Sequence, residues 1–195
     1  VSPAYNKPTQ RGLIEHYRAV AGAVDCPVII YNVPGRTASN VLPETVLALA
    51  EIENIAGVKE ASGDVDQVMT LIRERPEGFT ILSGDDALTF PLLAAGANGV
   101  ISVVANLAPA LMSQMVETAL GGDYEGAREL HYRLLPLMRA IFVETNPIPV
   151  KAALEIMGHR KAHYRLPLVR PSAEVETFLR SALINAGLLD AEGAT

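Results

Sequence analysis

Short β-branched runs alternate with longer amphipathic ones along most of this sequence, and that rhythm constrains the fold more than any other feature. The strand candidates are 27–33, 55–59, 79–83 and 99–104. Each is a nearly continuous apolar run, the pattern of a strand buried on both faces. Around them the spacing predicts helices over 10–24, 43–51, 65–75, 87–95 and 108–120. The punctuation agrees: Pro43 and Pro109 suit first helical turns, Asp64 suits an N-cap, and Gly96 and Gly121 suit helix ends. Strand and helix alternating at roughly 20 to 27 residues is the signature of βαβ units around a parallel sheet.

Two α/β architectures carry that signature, the doubly wound open sheet and the (β/α)8 barrel. No glycine-rich dinucleotide fingerprint follows any strand candidate, which weakens the first. The barrel meets a different difficulty. Four strand candidates, with at most the tail of another at Val1-Ser2, cannot close an eight-stranded barrel.

After Gly121-Gly122 the rhythm becomes all-helical. Asp123 suits the cap of a long helix over 124–143, with Pro136 expected to kink it. A helix over 149–157 follows, then an extended linker, Leu166-Pro-Leu-Val-Arg-Pro171. Ser172 suits the cap of a last helix over 173–186, and residues 190–195 are expected to fray. The expected organisation is therefore an α/β part over 1–121 and a helical part over 122–195.

Composition narrows the function classes. Acidic residues outnumber basic ones by 22 to 16, for a net charge of −6, and basic residues never run longer than two. Nucleic acid and anionic membrane are poor partners for such a surface. No apolar stretch reaches transmembrane length. The lone Cys26 excludes an internal disulfide and suits a reducing cytoplasm. The chain opens on Val1-Ser2-Pro3, with neither an initiator Met nor a signal-type run. It is therefore expected to begin after processing or within a longer protein.

In α/β folds of either kind, function gathers at the C-terminal ends of the strands. Three such ends carry unusual residues. Tyr31 closes the first strand candidate, and Arg36 follows it on a Pro-Gly turn. Lys59 closes the second. Asp85 and Asp86 follow the third. A lysine in a dry pocket loses proton affinity, and its neutral amine can attack a ketone to form an imine. The plainer reading pairs Lys59 with Glu60. A phenol at Tyr31 can relay protons, or it can simply line a rim. A guanidinium at Arg36 can clamp a carboxylate through two parallel bonds, or it can serve a surface ion pair. Adjacent carboxylates before a helix most often cap it, and Asp85-Asp86 are read that way. No histidine pair, carboxylate triad with metal spacing, nucleophile elbow or phosphate loop is present.

Taken together, five motifs resemble one family in order and separation. They are Tyr31-Asn-Val-Pro-Gly-Arg36-Thr, Gly57-Val-Lys59-Glu-Ala, Ser83-Gly84-Asp-Asp-Ala87, Gly99-Val-Ile101-Ser and Asn146-Pro-Ile-Pro-Val-Lys151. By them the chain is identified as a member of the dihydrodipicolinate synthase family, from Pro3 to about Leu189. The resemblance implies a (β/α)8 barrel, of which only about the second half is present, followed by a C-terminal helical region. It implies condensation of pyruvate with L-aspartate 4-semialdehyde in a cytoplasmic homotetramer built from tight dimers. Lys59 then resembles the Schiff-base lysine, Tyr31 the acid/base tyrosine, and Arg36 the arginine that receives the second substrate's carboxylate. Ile101 and Gly84 fall where the family meets substrate. Tyr5 resembles a relay tyrosine contributed across the dimer interface. The covalent imine at Lys59 replaces any cofactor.

Two departures stand out. The family's Gly-Thr-Thr-Gly-Glu segment, whose threonines complete the relay and hold the pyruvate carboxylate, is absent from this chain. Ala4 replaces a tyrosine that lines the lysine effector site in many feedback-inhibited members, so that inhibition does not carry over. Two other readings compete. A sister aldolase, such as N-acetylneuraminate lyase or a 2-keto-3-deoxy sugar acid aldolase, shares the lysine and tyrosine, but Arg36 suits a carboxylate better than a sugar chain. A non-catalytic fragment would keep the motifs and lack the threonines.

Overall fold

The structure is a computed structural model that describes residues 1–190. These residues pack as two compact units, one over Val1–Ile101 and one that begins at Ser102. That partition follows packing, whereas the division expected after Gly121 follows the rhythm of elements and remains a proposal.

The first unit holds a four-stranded parallel sheet in the order β1 (Val28–Asn32), β2 (Ile55–Glu60), β3 (Thr80–Ser83) and β4 (Gly99–Val100). Helices α1 (Gln10–Ala21), α3 (Pro43–Ala50), α4 (Val65–Glu74) and α5 (Thr89–Ala95) accompany it, with a single helical turn, α2 (Pro34–Thr37), directly after β1. The caps are local chemistry. Thr9 and Asp64 accept from Gly12 and Gln67 N–H, Pro43 opens α3, and Gly96 closes α5 at φ 110.

Side chains alternate across the pleat, and burial follows them. Ile30, Val58 and Ile81 are fully buried in a core with Leu13, Leu49 and Leu71 from the helices. Each such side chain contributes about 1.5–3 kcal/mol by leaving water. Residues between them, Ile29, Tyr31, Lys59 and Leu82, are only partly covered. The expectation of strands buried on both faces is thus corrected for this unit: helices seal one face alone. The expected strand over 99–104 is likewise shortened to Gly99–Val100. It pairs only with the end of β3, and no second neighbour extends its ladder among the described residues. Gly57 is needed for close approach, because a Cβ there would stand 2.4 Å from the carbonyl oxygen of Thr80.

The second unit is helical. A 3-10 turn at Val104–Asn106 precedes α6 (Pro109–Leu120), α7 (Tyr124–Ala140), α8 (Ile148–Ile156) and α9 (Ala173–Ala186). Asp123 and Ser172 cap α7 and α9 through Gly126 and Val175 N–H. Pro136 lies inside α7, which continues to Ala140 rather than to 143. Arg133 donates from Nε and Nη2 to the carbonyl of Ala186 at 3.0 and 2.8 Å, a cation on the exposed acceptor end of α9. No helix among the described residues is long and apolar enough to cross a membrane. The fraying expected at 190–195 lies, beyond Asp190, outside the described residues.

Candidate active site

Parallel register places the unusual residues side by side. Tyr31 stands opposite Lys59, and Lys59 opposite Leu82. One residue further on, Asn32, Glu60, Ser83 and Val100 form the next row. The pleat sends these two rows to opposite faces. On the partly open face, Lys59 Nζ lies 4.1 Å from the centroid of the Tyr31 ring. On the helix face, Glu60 is 2% exposed and accepts from Asn32, Gln67 and the Ser62 N–H. The plain pairing of Lys59 with Glu60 is therefore not what forms.

Burial pushes the Lys59 amine below the ordinary lysine range, opposed in part by the charge of Asp86. Burial also raises the Tyr31 phenol, opposed by the Arg36 guanidinium. The pair is thus an amine that holds its proton less tightly than an ordinary lysine, above a phenol that holds its proton more tightly than an ordinary tyrosine. That combination can add to a carbonyl and return a proton to the oxygen that leaves.

Asp85 and Asp86, alike in sequence, separate in space. Asp85 Oδ1 accepts from Ala87 and Leu88 N–H at 2.8 and 3.2 Å and caps the turn into α5, as expected. Asp86 is 2% exposed, and its charge acts on Lys59. Its removal has a definite sign. A carboxylate near an ammonium favours the charged form, so Asp86→Asn lets Lys59 lose its proton at lower pH. Amine reactivity at Lys59 rises with pH, and its midpoint is expected to move down in the variant. Labelling Lys59 with an acylating reagent across pH checks this; an unmoved or raised midpoint contradicts it.

Gly84 donates its N–H to the carbonyl of Glu60 at 2.6 Å, which leaves its carbonyl for any other partner. A Cβ here would stand 2.8 Å from Ala61 Cβ, 3.0 Å from Lys59 Cε and 3.1 Å from the Glu60 oxygen. Of these, only the lysine can yield. Gly84→Ala is expected to displace Lys59 and slow the reaction of its amine with an added ketone by about tenfold or more, at a stability cost of about 1–3 kcal/mol. Adduct-trapping kinetics alongside a denaturation curve read both effects.

Arg36 is exposed on α2, close enough to act on Tyr31. Its turn is one of helix, opened by Pro34 and closed by Ala38 at φ 57, where the sequence suggested only a Pro-Gly bend. Ile101 follows β4, 43% exposed, and gives its N–H to the Ser83 carbonyl at 2.9 Å. Tyr5 is 96% exposed at φ 73, so it does not pack against Lys59 or Tyr31. Sequence reasoning missed Asp86 and the polar group around Glu60. Only the strict alternation of a pleated strand, applied to Asn32 and Glu60, offered a signal for the latter.

Residues 1–186 match the model of the dihydrodipicolinate synthetase family. A 4-hydroxy-tetrahydrodipicolinate synthase from Methanopyrus kandleri is 54% identical over 194 residues, covering 99% of this chain and 65% of that protein. The crystal structure of dihydrodipicolinate synthase from Thermotoga maritima superposes with a TM-score of 0.94 at 47% identity, covering 96% of this chain and 65% of that one. The synthase from Acinetobacter baumannii, crystallised in complex with pyruvate, superposes with a TM-score of 0.94 at 44% identity and the same coverage. The chain thus spans about 65% of the length of these relatives.

Proposed function

Because the chain belongs to the dihydrodipicolinate synthetase family, we propose that it is the part of a 4-hydroxy-tetrahydrodipicolinate synthase that carries the Schiff-base amine. The observation that carries this reading is Lys59 Nζ lying 4.1 Å over the Tyr31 ring at the C-terminal end of the sheet. The pyruvate complex of the A. baumannii relative supports the first substrate.

In the proposed reaction, neutral Lys59 attacks the ketone carbon of pyruvate. The Tyr31 phenol donates to the carbinol oxygen, water leaves, and a protonated imine remains. Loss of a methyl proton gives the enamine, whose carbon bonds to the aldehyde carbon of L-aspartate 4-semialdehyde while the aldehyde oxygen takes a proton. Attack by the substrate's own amine on the imine carbon then frees Lys59. The iminium is the electron sink, so the scheme calls on no metal or organic cofactor. Arg36 is assigned the carboxylate of the second substrate. Gly84 and Ile101 meet substrate through their carbonyls, since both N–H groups are engaged. Tyr5, extended into solvent, serves the relay of a second subunit in a homotetramer of tight dimers.

The same reading makes residues 1–121 the second half of a (β/α)8 barrel and 122–195 its helical extension. The partly covered face of Ile29, Tyr31, Lys59 and Leu82 becomes barrel interior, which explains strands too apolar for one sealed face. The cytoplasm suits the exposed thiol of Cys26. The test supplies pyruvate with either aspartate semialdehyde or N-acetylmannosamine, to the chain alone and to the chain with the N-terminal segment of the M. kandleri relative added. Consumption of aspartate semialdehyde is expected. Consumption of the sugar alone would assign a sister aldolase, and no consumption on reassembly would make the chain non-catalytic.

A further inference from the structure

Behind the Lys59–Tyr31 pair lies a buried polar group. Asn32 Nδ2 stands 3.2 and 3.0 Å from the two oxygens of Glu60, and Gln67 Nε2 stands 3.3 Å from Oε2. The Ser62 N–H donates to Oε1 at 2.7 Å. Each donor is itself held. Asn32 Oδ1 accepts the Val41 N–H at 3.0 Å, and Gln67 Oε1 accepts Asn40 Nδ2 at 2.7 Å. Asn32, Glu60 and Gln67 are 0, 2 and 7% exposed, beside Val41, Val58 and Val68 in an otherwise apolar layer.

Every group aimed at Glu60 is a donor, and none is a cation among the described residues. The group therefore fits an acceptor-only carboxylate and nothing else of that shape. Taking a carboxylate out of water is costly, and apolar side chains of equal volume commonly serve stability as well or better. Packing alone does not account for this choice. Geometry does. Asn32 follows Tyr31, and Glu60 follows Lys59, so a bridge on the helix face holds β1 and β2 in the register that stacks the amine on the ring. The same bridge grips Asn40 and Val41, just beyond the turn that carries Arg36.

We propose that Glu60, with Asn32 and Gln67, is a positioning residue that seats Lys59 over Tyr31 and ties the Arg36 turn to that seat. The inference rests on Lys59 as the Schiff-base amine, and it would be felt as misplacement of that amine. Gln67→Met tests it with the least disturbance. It removes one donor to Glu60 from α4, keeps the volume and charge, and alters no residue of either strand. The groups that face the pair are Asp86 toward Lys59 and Arg36 toward Tyr31, and both stay unchanged. Two readouts are taken on the chain itself. One is the pH midpoint of Lys59 acylation, with Lys7 and Lys161 as internal references. The other is the rate of pyruvate trapping with cyanoborohydride.

Lys59 freed from its seat is better hydrated, so its midpoint is expected to rise toward the ordinary lysine range. Trapping should slow by about tenfold, with the reference lysines unmoved. Glu60→Gln, which turns an acceptor into a donor facing Asn32, should slow trapping further if it folds. A lowered melting temperature with midpoint and trapping unchanged would reduce the group to a structural one and overturn the proposal. If the unaltered chain traps no pyruvate even with the N-terminal segment of the M. kandleri relative supplied, but Gln67→Met still moves the Lys59 midpoint, the positioning stands and the Schiff-base reading fails. If the unaltered chain traps pyruvate and neither readout changes in Gln67→Met, the positioning fails and the Schiff-base reading stands.

Discussion

Lys59→Arg is expected to lower condensation by at least about a thousandfold, and Lys59→Ala by as much. The comparison between them is informative. Arginine keeps a positive charge near Asp86 and can still lie over the Tyr31 ring, but its guanidinium does not deprotonate in a protein and cannot become the nitrogen of an imine. If Lys59 acted only as a charge, holding a carboxylate or screening Asp86, arginine would preserve much of the rate. If it acts as a nucleophile, arginine is as damaging as alanine. Steady-state turnover with pyruvate and aspartate semialdehyde separates the two, and an arginine variant within tenfold of the unaltered protein would refute covalent catalysis at this position.

Tyr31→Phe should lower kcat by roughly 100- to 1000-fold while leaving the KM for pyruvate within a few fold. The ring remains, so the surface under Lys59 and the register opposite it survive. What is lost is the phenol, which burial keeps protonated and able to donate to the departing oxygen. Without it, carbinolamine and imine form without a placed proton. The pH profile carries a second signature. Deprotonation of a phenol raised above its ordinary range gives the unaltered protein a loss of activity on the far alkaline side, and that limb should vanish in the phenylalanine variant. An equal fall in kcat and rise in KM would instead point to a collapsed site.

Much of this was legible from residue types alone, and the limits were physical. Three helix starts fell where the sequence put them because capping is local: Asp64, Asp123 and Ser172 each accept from an N–H three residues on, whereas α5, with no side-chain cap, opens at Thr89 rather than at 87. The last helix matched at both ends, with Gly187 in the left-handed region at φ 75. Strand length was less legible, because a ladder ends where its partner ends. Gly99–Val104 was apolar enough for six residues, yet β3 offers β4 partners only at Leu82 and Ser83.

The site divides in the same way. Lys59 and Tyr31 stood out through their positions at strand ends and through the five linked motifs. Asp86 did not, since neighbouring aspartates before a helix look alike, and only the tertiary path brings the charge of one of them to bear on the amine. Glu60 was obscured by adjacency. Next to Lys59 in sequence, it looked like an ion partner, but the pleat turns it to the other face. Tyr5 is legible only by resemblance, because its 96% exposure leaves nothing in this chain for it to act on.

The proposed reaction depends on an imine between Lys59 and pyruvate. Its most direct test is the intact mass of the chain after incubation with pyruvate and borohydride, with Lys59→Ala in parallel. The account predicts one reduced pyruvate adduct, placed on Lys59 by peptide mapping and absent from the variant. If the chain alone gives none, the same measurement is repeated with the N-terminal segment of the M. kandleri relative supplied. No adduct in either form, or one that persists in Lys59→Ala, would contradict it.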